Sequence, residues 1–283
     1  MRRYSREELL ARLKKTREEG KYLIAAGAGS GLSAKSIETG GADLLLVFNS
    51  GFYRMHGHGS FSGLLAFGNA NDIALELGTR YVLPVVKEIP VVCSVFAQDG
   101  TRVISRHLDR IVAEGFSGLN NFPTMGLVDG NFREQLELTG LGYEKEVEMV
   151  RLAAQKNIFT IVYVFNEDEA WRMAEAGADC IVAHVGLTVG GMIGTTKSLS
   201  LEDSAALTEK IIAAGRGKRK DILWLAHGGP LSTPESFRKF LAWLPGIDGF
   251  VGASSMERIP TEQAIAETVR EFKKISQPPA CAG

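Results

Sequence analysis

The sequence predicts an α/β fold, a (β/α)8 TIM barrel preceded by an N-terminal helix. Three observations predict it. Eight short apolar runs recur along the chain, amphipathic helical stretches separate them, and the pattern fills about 250 residues, the usual size of such a barrel. Most runs are continuously apolar rather than alternating, which suits parallel strands covered on both faces. A doubly wound sheet is the competing architecture, but it rarely needs eight units.

Residues 1–20 read as a helix that closes the barrel floor. The candidate strands follow at 22–26, 43–48, 91–96, 118–121, 159–165, 180–185, 222–226 and 249–251. Between them, Ile104, Leu108, Ile111 and Val112 fall on one helical face, as do Phe237, Phe240, Leu241 and Leu244, and Ile265, Val269 and Phe272. Asn166 with Glu169 resembles a capping box. Thr233 before Pro234 places an N-cap ahead of a first-turn proline. Gly177 and Gly215 fall where helices should stop. The basic run Arg216-Gly217-Lys218-Arg219-Lys220 reads as a solvated loop. No Pro- or Ser-rich linker divides the chain, so residues 1–283 form one expected domain, with 276–283 a flexible tail.

Composition narrows the function. The chain is 45% hydrophobic and 23% charged, which excludes a disordered protein. With 32 Lys+Arg against 33 Asp+Glu, no global field draws nucleic acid or an anionic membrane. No apolar stretch reaches 18 residues, and the N-terminus lacks a signal-peptide core. Cys93, Cys180 and Cys281 share no metal-ligand spacing, so a reducing, cytoplasmic setting is expected.

The strand ends carry the candidate chemistry, because the C-terminal face of a barrel is its working face. Two long connections, 49–69 and 186–199, leave that face. The first strand ends in a glycine-rich turn where Gly29 and Ser30 allow close approach of a ligand. Asn49 and Ser50 end the second, and Arg54 beyond them has a planar fork suited to carboxylate or phosphate. His56 and His58 form an H-x-H pair without a further ligand at metal spacing. Asp99 follows the third strand and is the candidate base or Mg²⁺ or Mn²⁺ ligand. Asn120 and Asn121 end the fourth and suit substrate oxygens. His184 ends the sixth and His227 the seventh, both candidates for acid–base work. Gly228 and Gly229, with Gly252, Ala253 and Ser254 after the eighth, match the place where barrels bind phosphate. No dinucleotide or P-loop motif is present, and no organic cofactor is expected. No lysine ends a strand, which weakens a Schiff-base aldolase.

The stretches Ala25-Ala26-Gly27-Ala28-Gly29-Ser30-Gly31, Asn49-Ser50-Gly51, His184-Val185-Gly186-Leu187-Thr188, His227-Gly228-Gly229-Pro230 and Gly249 to Arg258 resemble the phosphoenolpyruvate hydrolase-like family of TIM-barrel proteins. That family also supplies the C-terminal domain of Tm-1 type virus-resistance proteins. The resemblance implies hydrolysis of phosphoenolpyruvate or phosphonopyruvate. Phosphonopyruvate hydrolases carry an acidic cluster for Mg²⁺ and an E-D-x-x-x-P-K-type segment, and that segment has no counterpart here. The expected protein is therefore a hydrolase of a small anionic metabolite, assembled as a homo-oligomer. A lyase and a non-catalytic ligand- or protein-binding module are the competing readings.

Overall fold

The computed structural model describes residues 2–275; the tail expected at 276–283 lies outside them. Eight parallel strands close in chain order: β1 (Leu23–Gly27), β2 (Leu44–Val47), β3 (Val91–Ser94), β4 (Gly118–Asn120), β5 (Phe159–Val164), β6 (Cys180–His184), β7 (Leu223–His227) and β8 (Gly249–Gly252). Each lies within two residues of its expected position. β8 closes on β1, with Leu23 opposite Gly249.

Period-two alternation along each strand sorts the side chains into two cores. Leu44, Leu46, Val92, Ile161, Val182, Leu225 and Val251 fill the barrel interior. Leu45, Val91, Cys93, Val162, Ile181 and Trp224 face outward into the helical shell. Helix α1 (Arg6–Glu18) starts on a capping box at Ser5 and Glu8. Its Leu9 and Leu13 join the interior cluster beside Leu23 and Leu44, so the helix plugs the N-terminal end as expected.

Next come α2 (Gly31–Thr39), α3 (Asn49–Met55), α4 (Ala70–Glu76), α5 (Ile104–Ala113), α6 (Gly130–Leu138), α7 (Glu144–Gln155), α8 (Glu167–Ala176), α9 (Leu201–Lys218), α10 (Pro234–Phe240) and α11 (Arg258–Lys273). The 49–69 connection is thus partly helical, with a 3-10 turn at Ser60–Leu64 after α3. Gly177 ends α8 with φ of 103°, as expected. Asn166 caps α8, but Glu169 reaches the Phe165 amide at 2.9 Å rather than closing a capping box. Gly215 does not stop its helix. It lies inside α9, where a Cβ would run into the Trp224 ring, so packing rather than helix termination calls for glycine. Arg216 and Lys218 therefore belong to the last helical turn, not to a loop.

Helix α11 forms where the periodicity places it, but its apolar stripe is uncovered. Ile265, Val269 and Phe272 are 61%, 55% and 69% exposed, and Ile275, just past the helix end, is 73% exposed. Beside β1 and β8, Ile24, Phe237, Phe250, Met256 and Pro260 line an outer groove. No helix among the described residues is long and apolar enough to cross a membrane.

Candidate functional site

A cleft opens at the C-terminal mouth of the barrel. It is lined by Phe48, Ser50, Arg54, Phe122, Tyr163, His184, Thr188, His227, Ala253 and Ser254, with Ser60, Phe61 and Leu64 from the turn after α3. The two histidines end neighbouring strands in register, one opposite the other. Their ring centroids are 4.6 Å apart and meet edge to face. Tyr163 lies 5.3 Å from both rings, and Phe165 lies 4.6 Å from His184.

Their hydrogen bonds fix opposite tautomers. His227 Nδ1 faces the Val251 carbonyl at 2.7 Å, so Nδ1 carries the proton and Nε2 is a lone pair. His184 Nδ1 accepts the Gly186 amide at 3.1 Å, so its proton is on Nε2. Burial pushes His227 down to about 4 and His184 well below its ordinary value. At neutral pH one ring therefore presents an acceptor and the other a donor, both uncharged.

The remaining expected residues divide. Ser50, Ala253 and Ser254 line the cleft. Gly228 and Gly229 adopt φ of 89° and 53°, which favours glycine. Their role is to let the loops after β6 and β7 pack: the Gly229 amide donates to the Gly186 carbonyl at 2.8 Å. Gly252 lies within β8, beneath Met256. Gly29 sits against the backbone of Gly51, and its amide donates to Glu257. Ser30 caps α2. Neither Gly29 nor Ser30 reaches the cleft wall. Asn49 and Asn120 each donate to a carbonyl, of Gly63 and Ile161, and keep a buried Oδ1 without a partner. Asn121 is fully used, donating to Glu146 and the Tyr163 carbonyl and accepting the Tyr163 amide. His56 stacks on Phe52 away from the cleft.

Asp99 is not brought to the histidines. Its oxygens accept from Asn69 and Asn71 at 3.0 Å, from the amide and hydroxyl of Thr101, and from Arg102 at 2.8 Å. Those hydrogen bonds outweigh desolvation and hold its carboxyl well below the ordinary range. It ties the 69–72 segment to the loop after β3.

Three further residues shape the mouth. Tyr163 hides in sequence because it continues an apolar strand. Glu257 is buried behind α3, and only its glutamate-arginine neighbourhood hints at an ion pair. Glu146, inside α7, accepts from Met125, Gln98 and Asn121, yet burial lifts it to about 7.

The donor set does not suit Mg²⁺ or Mn²⁺. No group of three His, Cys, Asp or Glu side chains converges among the described residues. Two residues on from inward-facing Val92, β3 ends in Ser94, and its neighbour on β4 is Asn120. Both are neutral, with a buried oxygen left unpartnered. A hard divalent cation takes carboxylate oxygens, and Asp99 has spent its own.

The fold and mouth define a (β/α)8 barrel with a polar cleft at its C-terminal face. The profile of the "Phosphoenolpyruvate hydrolase-like" family matches residues 8–275. The chain belongs to that family. It is 50% identical over 268 residues to the ToMV susceptible protein tm-1(GCR26) of Solanum lycopersicum, covering 95% of this chain and 35% of that protein. The ToMV resistance protein Tm-1(GCR237) of the same plant is 49% identical, covering 96% of this chain and 36% of the relative. The chain thus spans about a third of the length of these relatives. Among solved structures, a phosphonopyruvate hydrolase complex with oxalate and Mg²⁺ aligns with TM-score 0.57 and 16% identity, covering 97% of this chain and 91% of that one. A 2,3-dimethylmalate lyase of the PEP mutase/isocitrate lyase superfamily aligns at 0.61 and 14%, covering 99% and 91%. These likenesses establish the fold.

Proposed function

We propose that the cleft binds a small phosphorylated or phosphonylated carboxylate, of the phosphoenolpyruvate or phosphonopyruvate type, and hydrolyses it with the two histidines as base and acid. The supporting observation is their complementary protonation. His227 Nε2 takes a proton from the attacking water, and His184 Nε2–H supplies one to the leaving group. The phosphoryl group rests by Ala253 and Ser254 at the end of β8. Free, buried thiols at Cys93 and Cys180 suit a reducing cytoplasm. The exposed stripe of α11 and the groove beside β1 and β8 support a homo-oligomer. Light scattering should give a mass above the monomer that Phe272→Asp lowers; a monomeric wild type ends that part of the reading.

Kinship with the ToMV resistance protein favours a second reading, a non-catalytic binding module. Phosphorus NMR with phosphonopyruvate and phosphoenolpyruvate, with and without Mg²⁺, separates the two. Phosphate release above the protein-free control, lost in His184→Ala, supports hydrolysis. A ligand that raises the melting temperature without product supports the module.

A further inference from the structure

Arg54 lies near the end of α3 on the wall of the cleft, with its side chain only 3% exposed. Its guanidinium is held from two sides. Nη1 donates to Ser50 Oγ at 3.1 Å. Nη2 stands 3.7 Å from Glu257 Oε2. Charge-assisted N–H···O contacts close to about 2.7–2.9 Å, so this pair is aligned but unclosed. Glu257 itself is anchored: its Oε1 accepts the Ser33 hydroxyl at 2.5 Å and the Gly29 amide. Its side chain is fully buried.

The result is an unsatisfied constellation. Arg54 Nε and Nη2, and Glu257 Oε2, are buried without a hydrogen-bond partner. Each such group costs about 1–3 kcal/mol in a folded protein. The two guanidinium donors, on one wall of a cleft, are what a missing ligand oxygen would repair; Glu257 Oε2, an acceptor, serves only to hold the arginine. The Nε and Nη2 hydrogens lie along one edge of the guanidinium, the edge that matches a carboxylate in two parallel bonds. Glu257 keeps the arginine ionised and aimed, and Phe48 lies under its face with Cζ 5.9 Å from the ring centroid.

We infer that Arg54, aimed by Glu257 and Ser50, is a carboxylate anchor that makes the cleft select ligands bearing a carboxylate. The inference rests on the reading of the cleft as a site for a small anionic carboxylate, and adds the residue that recognises that group. The ligand's carboxylate sits on the Nε–Nη2 edge while its remaining end extends toward His184, His227 and Ser254. Inorganic phosphate, lacking a carboxylate, uses only the Ser254 side.

Calorimetric titration of the full chain with oxalate, pyruvate and inorganic phosphate tests this, on wild type, Arg54→Lys and the double variant Arg54→Met/Glu257→Gln. Lysine keeps the charge but loses the fork. The double variant removes both charges together, so neither is left buried alone. The expected result is a loss of about 10- to 100-fold in oxalate or pyruvate affinity in both variants, with phosphate affinity unchanged and melting temperatures near wild type. Equal weakening of phosphate and carboxylates overturns the inference, because Arg54 would then be a general electrostatic contribution. Unchanged carboxylate binding overturns it as well. If wild type binds phosphate but no carboxylate, the anchor fails while the anion cleft stands. If wild type binds none of the three, both readings fall.

Discussion

Beyond β3, Asp99 collects five donors from Asn69, Asn71, Thr101 and Arg102, and nothing on it is left to offer. Beyond β6 and β7, His184 and His227 each commit one ring nitrogen to the backbone and turn the other to the cleft. Both regions are polar, both are buried, and both sit at the same end of the barrel. The difference is satisfaction. A buried polar group whose bonds are all made holds loops together; one whose bonds are half made is available to a ligand.

Mutation should separate the two regions, and the largest effect falls on the histidines. His184→Ala or His227→Ala should lower phosphate release by about 10²–10⁴-fold in protein that remains folded. Undiminished turnover in both would erase the distinction. Asp99→Ala should do the reverse. It leaves the Asn69 and Asn71 amides and the Thr101 backbone amide without their acceptor, while Arg102 keeps Asp72, so stability should fall by about 1–3 kcal/mol in urea titration while the affinity for phosphate holds. A loss of affinity without a loss of stability would put Asp99 back among the working residues.

Acidity sharpens the contrast. His227 titrates near 4 in the fold, below the ordinary 6.5. Its stabilisation is complete above 6.5 and is lost as pH falls toward 4, on the order of 3 kcal/mol in all. Glu146 titrates near 7, above the ordinary 4.5. Its contribution is complete below 4.5 and is lost as pH rises through 7. The two slopes oppose one another in the wild type, where His184 and His107, also lowered by burial, leave a net loss on the acid side. Glu146→Gln should steepen the loss on the acid side, and His227→Gln should flatten it. Chemical denaturation at half-unit pH steps reads both, and parallel curves for all three proteins would refute the assignment.

Much of this was legible in sequence, for definite reasons. Strands announce themselves by continuous apolar runs, and His184 and His227 stand at their ends, where the barrel geometry forces them into the mouth. Asp99 occupies a similar place, but Asn69 and Asn71, which saturate it, come from a connection no local pattern links to it. The same holds for Arg54 and Glu257, which α3 and the approach to α11 bring together from distant parts of the chain. Tyr163 is masked by its own strand. The glycines after β7 were visible as permissive positions, but spacing cannot say whether the space they free belongs to a ligand or, as here, to a neighbouring loop. The α11 periodicity was correct for a helix, yet period alone does not say what covers a face.

The Gly186 amide ties acidity to motion. Its hydrogen points at the lone pair of His184 Nδ1, its carbonyl takes the Gly229 amide, and Val189 donates back to the Gly229 carbonyl at 3.1 Å. A proton arriving on Nδ1 displaces that amide hydrogen, the first link in the chain of bonds between the loops after β6 and β7. The protection of the Gly186 amide against solvent exchange, relative to its intrinsic rate, should therefore drop as pH falls, more than at its neighbours. The atom pair that sets which histidine is the acid thus also joins the loops after β6 and β7.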